Sequence, residues 1–422
     1  MTPTQAKERI DRFGGKLNAF TQVFEPAAGD GPTFAIKDMI DFAGVPTGGG
    51  GRLPLDPSPA RHAAGVERLL EAGWAAAGKT QTVELAYGGW GTNRAVGAPW
   101  NPWDAEVHRA PGGSSSGSAV AVAAGLCDVA LGTDTGGSVR IPAAACGVVG
   151  LKPGRGLVSL RGVHDLAPSL DTLGTLARSV ADAARVLEII SRPDAADAGR
   201  GTFDANAALK CDVRGWRVAA LASGDIADLE PEIARLYLLA LEGLRAAGVE
   251  VVTTTPPRPL SAYFEPNGVL MAAEGWRLRG AWIEAHADRM DPWIVSRFQV
   301  GRGITDAQLD EARRRRVEDQ AEFQGWLSDY SALICPTAPI EAPPIASVDE
   351  TVSPLSSLTR AGNYLDLPAA SVPCGLTGDG MPAGLQIMGG AQDEASVVAL
   401  AAAFERVSGW NGRVPDLSGF EA

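Results

Sequence analysis

Two blocks rich in glycine and serine constrain this chain more than any other feature. Residues 110–125 read APGGSSSGSAVAVAAG and residues 131–147 read LGTDTGGSVRIPAAACG. Glycine loses more backbone freedom on folding than any other residue, so clustering it is costly unless backbones must approach closely. GSAVAVAAGLC is small and apolar on every side, which predicts a fully buried helix beginning at the first turn. DVALGTDT predicts a strand that runs into the second turn, ending on Ser138.

Around these blocks the pattern alternates between helix and strand. ARHAAGVERLLEAG has helical spacing, with Val66, Leu69 and Leu70 on one face and Gly73 as its stop. WAAAGKT reads as a buried strand. Val180, Ala184, Leu187 and Ile190 stay in phase along one helix. From about 192 to 212 the chain is polar and predicts a surface excursion. WRVAALAS, IARLYLLALEGLRAAG and VEVVTTTPP then give strand, helix and strand. Residues 258–330 read as mainly helical, with Tyr263, Phe264, Trp276, Trp282, Trp293 and Phe298 among them. Core packing is the ordinary use of such aromatics. YSALICPTAP, LPAASVPCGL and MPAGLQIMGG read as strands, and EASVVALAAAFERV as a closing helix. No period repeats and no composition break marks a boundary, so one α/β unit over 1–422 is expected.

A net charge of −13 argues against a direct nucleic-acid surface. The one dense basic run, Arg313–Arg316, lies among acids and reads as a solvated helix face. No apolar run approaches the roughly 18 residues of a membrane span. MTPTQAKERIDRFGGKLNAF lacks the apolar core of a secretion signal and reads as an amphipathic helix from near Thr4, so a cytoplasmic location is expected. The five cysteines (127, 146, 211, 335 and 374) are widely spaced and read as reduced thiols.

Two motif matches point elsewhere and fail on context. GWAAAGKT satisfies the phosphate-loop pattern, but a helix precedes it and its would-be loop suits a strand. GSSSG matches a nucleophile elbow, yet WDAEVHRAP before it is polar and ends in proline. His62, His108, His164 and His286 show no ligand spacing, so no metal centre is expected. With histidine this scarce, a desolvated lysine is the base available to a serine nucleophile, because burial disfavours the ammonium. Lys37, at the end of the apolar run in PTFAIKDMID, is the candidate; pairing with Asp38 or Asp41 is the structural alternative.

KDMID, GGSSSGSAVAVAAG, ALGTDTGGSVRIPAAACGVVGLKP and the late LPAASVPCG…GMPAGLQIMG resemble the amidase signature family of serine hydrolases. The similarity is dense over 33–190 and returns over 330–405. The resemblance implies a large mixed central β-sheet covered on both faces by helices, with 258–330 as a variable helical insertion shaping the pocket. It implies Ser138 as nucleophile, Ser114 as the bridging serine after a cis peptide bond, and Lys37 as catalytic lysine. Backbone N–H groups of Thr135, Gly136, Gly137 and Ser138 correspond to the oxyanion hole. Ser115 is expected to support the network. Asp134 and Arg140 are expected to pair and position the loop, with substrate anchoring also open to the Arg140 guanidinium.

The expected function is hydrolysis of a carboxylic amide C–N bond through a seryl acyl-enzyme, on a small or aryl amide, with no metal or organic cofactor. A carbamate or urethane is the variant substrate. The family's other reading is the glutaminase component of a tRNA-dependent amidotransferase. Against it, the chain carries KPGRGLVSLRGV where those proteins carry a tyrosine-containing run. The expected partner is the small-molecule substrate, with self-association left open.

Overall fold

The apolar runs become strands of one sheet. The computed structural model describes residues 1–25, 31–194, 201–410 and 413–421. Among the described residues there are eleven strands: β1 (Phe20–Val23), β2 (Thr33–Lys37), β3 (Ala75–Thr80), β4 (Val129–Asp134), β5 (Val149–Lys152), β6 (Thr172–Ala177), β7 (Arg217–Ala220), β8 (Glu250–Thr253), β9 (Ala332–Pro336), β10 (Ala369–Leu376) and β11 (Pro382–Gly389). They pair in the order β1-β3-β2-β4-β6-β5-β10-β11-β9-β7-β8. β2 runs parallel to β3 and β4, and β7 to β8 and β9, while the pairings through the middle are antiparallel. The mixed sheet with helices on both faces is the fold class expected from the resemblance. Near-continuous burial along β2 to β6 follows from those helices, since a covered strand keeps no polar face.

Most predicted elements are present. The small-residue helix spans Ser116–Ala123 and every residue in it is buried. The amphipathic N-terminal helix spans Pro3–Leu17, opened by a capping box in which Thr2 and Gln5 bond reciprocally. The 258–330 region holds helices Phe264–His286, Pro292–Val300 and Asp306–Leu327. Two readings change. The polar stretch after 192 contains a short helix, Ala205–Lys210, capped by Asp204; residues 195–200 of it lie outside the described residues. Arg316 does not belong to a solvated face. Helical periodicity puts it in line with buried Leu309, Phe323 and Leu327, where its guanidinium donates to the carbonyls of Tyr364 (2.6 Å), Ser169 (2.8 Å) and Asn363 (3.0 Å).

Lys79 of the phosphate-loop look-alike is buried, donates to Thr47 Oγ1 (3.1 Å) and pairs with Asp38 (3.3 Å). Its pattern is a strand. The four histidines are locally bonded: His164 to Asp41, His62 to Ala43, His108 to Pro99 and His286 to Trp282. All five cysteines are free thiols, with Cys211 and Cys374 only half-buried. No helix among the described residues is long and apolar enough to cross a membrane.

Candidate active site

Parallel β2 and β4 end at the same edge of the sheet, which brings Lys37 beside the turn that follows Asp134. Lys37 is fully buried. Its Nζ donates to Ser114 Oγ at 2.7 Å and to Thr133 Oγ1 at 2.7 Å. Burial pulls the ammonium down to about 7, against the attraction of Asp134 and Asp171. The structural alternative for this lysine, pairing with Asp38 or Asp41, is not what the side chain does; Asp38 is taken by Lys79.

Ser114 follows a cis peptide bond from Gly113. A side chain at Gly113 would meet Gly91 N at 2.8 Å and Gly88 O at 2.9 Å, so only glycine permits that approach. Ser115 joins the two turns: its N–H donates to Ser138 O (3.1 Å) and its Oγ to Thr133 O (3.3 Å).

The second turn is built around Asp134. Its carboxylate accepts from Gly137 N (2.8 Å), Val139 N (3.0 Å), Arg140 Nε (3.1 Å) and Arg140 Nη2 (2.9 Å). Burial opposes ionisation of Asp134, but the charge and hydrogen bonds of Arg140 outweigh it and hold the carboxyl well below the usual range. Arg140 is also fully buried. Its remaining donors go to Thr359 O (2.8 Å), Gln386 Oε1 (2.7 Å) and Asn363 Oδ1 (2.6 Å). All five N–H groups of a guanidinium are thereby used, so Arg140 has none left for a substrate.

The same geometry bears on which of the four expected oxyanion N–H groups are available. The Gly137 N–H is spent on Asp134, which leaves those of Thr135, Gly136 and Ser138 without a bond to any described residue. Gly137 is still required as glycine: its φ is +125° and a Cβ there would lie 2.1 Å from Thr359 Oγ1. Ser138 itself stands on the wall of a pocket of about 40 Å³ lined also by Gly136, Tyr87, Met271 and Arg360. Tyr87, Arg297, Ser353 and Arg360 line both that pocket and an outer cavity of about 950 Å³. Of the six aromatics singled out above in 258–330, Phe264 lines the outer cavity; Tyr263 and Phe298 are core, packed on Tyr364 and Tyr87.

Several neighbours of the site carried no signal that singled them out: Thr133, Asp171, Thr359, Asn363 and Gln386. Asp171 accepts from Thr135 Oγ1 (2.5 Å) and from the N–H groups of Leu166 and Ala167. Burial raises its carboxyl to about 7. Gln386 lies inside a recognisable run, GLQIMG, but nothing local announces a partner near residue 140.

The family model described as Amidase matches residues 30–398. The chain belongs to the amidase family. Among its relatives within that family, a glutamyl-tRNA(Gln) amidotransferase subunit of Chloroflexus aggregans is 36% identical over 419 residues, covering 92% of this chain and 85% of that protein. The crystal structure of the corresponding protein from Thermotoga maritima superposes with a TM-score of 0.87 at 31% identity, covering 99% of this chain and 94% of that one. The structure of 6-aminohexanoate cyclic dimer hydrolase complexed with substrate gives a TM-score of 0.87 at 25% identity, over 99% and 95% of the two chains. This amidase-family chain thus has both an amidotransferase component and a hydrolase among its structural neighbours.

Proposed function

We propose that the chain is an amidohydrolase that cleaves a carboxamide through an acyl-enzyme on Ser138. The observation that carries this reading is the 2.7 Å contact between a fully buried Lys37 Nζ and Ser114 Oγ beside the turn bearing Ser138. Ser138 Oγ makes no hydrogen bond to a described residue and faces the pocket, which leaves it free to attack. Neutral Lys37 takes its proton through Ser114 as the carbon–oxygen bond forms. The N–H groups of Thr135, Gly136 and Ser138 are the donors available to the oxyanion, a contribution of about 3–4 kcal/mol per donor in serine hydrolases. The proton returns to the leaving amine as the C–N bond breaks, and water then repeats the sequence on the acyl-enzyme.

The base must be uncharged, and its ammonium loses its proton at about 7. Activity is therefore expected to be low at pH 5, to rise through pH 7 and to level off above about pH 8. Asp134, held ionised, does not titrate in that window, whereas Asp171, raised to about 7, does. A kcat/KM profile that falls from pH 6 to 9 while the circular dichroism spectrum is constant would contradict a lysine base. Ser115→Ala removes one bond to a carbonyl and is expected to cost less than about 10-fold in kcat, read in the same assay.

A panel of aliphatic amides, aryl amides and aryl carbamates tests the substrate class on the isolated chain. The similarity to amidotransferase proteins favours a second reading, a component that hydrolyses glutamine for a partner. Turnover of simple amides by the purified chain alone supports the first; glutamine hydrolysis appearing only with added partner supports the second.

A further inference from the structure

We propose that the amide substrate carries a carboxylate a few bonds from the scissile carbonyl, and that Arg360 binds it. The inference rests on the seryl amidohydrolase reading and deepens it by naming what the pocket selects.

Arg360 is half-buried and lines both the pocket at Ser138 and the outer cavity. Its guanidinium stacks on the Phe264 ring with 3.7 Å from Cζ to the centroid, and Nη1 donates to Phe264 O at 3.2 Å. No other hydrogen bond and no ion pair to a described residue is made. Four of its five N–H groups therefore lack a protein acceptor. A cation partly withdrawn from water without a counter-charge is disfavoured, and such groups are ordinarily paired.

The other cations nearby are already neutralised. Arg140 spends every donor, as described above. Arg297 holds Glu350 Oε2 at 2.9 Å and the carbonyls of Glu350 and Tyr87 at 2.8 and 2.7 Å. Glu350 also accepts from Thr92, so it is not free to turn to Arg360. Asp228 and Glu265 line the outer cavity but are exposed, and neither comes within ion-pair distance of Arg360.

Two glycines lie against this arginine, and at Gly268 a side chain would crowd it. A Cβ on Gly268 would lie 3.1 Å from Arg360 Nη1, and one on Gly136 would lie 3.4 Å from Arg360 Cγ. The arginine stem thus rests against the nucleophile turn itself. Because Ser138 and Arg360 share a pocket of about 40 Å³, the scissile carbonyl and the anion belong to one short molecule. The guanidinium fork, with one face covered by Phe264 and its edges open, matches a planar carboxylate. Asp228, Glu265 and Glu350 around the larger cavity favour a monoanion over a dianionic phosphate.

The test compares malonamate, succinamate and glutaramate with neutral partners in which a methyl ketone replaces the carboxylate. In the wild type the best member is expected to exceed its neutral partner by about 100-fold in kcat/KM, the scale of a desolvated charge-assisted pair. Arg360→Gln should reduce that ratio to within a few-fold, with Arg360→Lys in between because an ammonium cannot make the bidentate contact. If no member of the series is preferred over its neutral partner by the wild type, the proposal is overturned, whether or not the variants fold. Equal loss on charged and neutral amides in a folded Arg360→Gln would overturn it as well. Ser138→Ala, run on the same substrates, separates the two levels. If it abolishes all hydrolysis while no anion preference exists, the seryl mechanism stands and only the carboxylate assignment falls.

Discussion

Ser138→Ala and Lys37→Met are each expected to lower kcat by about 10⁴-fold or more, because a nucleophile and its base act as one unit. The losses should not multiply: the double variant is expected to be no slower than the worse single one. Folding is expected to survive both changes. Ser138 Oγ holds no internal hydrogen bond to a described residue, and a methionine replaces a lysine whose burial already disfavours its charge. Activity assays beside thermal melts read both quantities. A Ser138→Ala protein that retains more than about a tenth of its turnover would sink the assignment of the nucleophile, since no member of such a unit is dispensable to that degree.

The second large effect is on stability. Arg140→Met strips a fully buried carboxylate of its charge partner and leaves Gln386 Oε1 and Asn363 Oδ1 without a donor. Breaking a buried pair on one side costs about 3–5 kcal/mol, because the surviving charge stays desolvated. The urea midpoint is expected to drop accordingly, and kcat with it, since the same turn presents Ser138. Asp134→Ala combined with Arg140→Met should recover part of the lost stability, as the uncompensated charge is gone. A midpoint unchanged by Arg140→Met would mean that Asp134 is adequately held by the Gly137 and Val139 N–H groups and the Asn363 amide.

Much of this was legible in the chain because local pattern and final environment agree. The buried helix Ser116–Ala123 has no polar face to conceal, and β2 is apolar from Phe34 to Ile36 right up to Lys37. The misreadings arise where distant segments decide. Arg316 looks like one of four solvated arginines until the carbonyls of Ser169, Asn363 and Tyr364 arrive over its face of the helix. Arg140 looks available to substrate until residues 359, 363 and 386 claim its donors. The Gly137 N–H looks free because nothing in DTGGS says that the aspartate three residues back will fold onto it. Arg360 sits in a stretch, SPLSSLTRAGNYLDLP, whose composition is that of an ordinary loop. Its meaning comes from Phe264, Gly268 and Gly136, about a hundred and more residues away.

Strands β10 and β11 are made after the other nine described strands, yet they sit inside the sheet between β5 and β9. A chain emerging from the ribosome therefore carries two open β edges until its final strands arrive, a state that invites pairing with other chains. The clamp on the turn bearing Ser138 arrives equally late, because Thr359, Asn363 and Gln386 all follow β9. Vectorial synthesis thus withholds the ordered serine turn until residue 386 has been made, and a fragment stopping short of residue 359 would carry Ser138 without the framework that holds its turn.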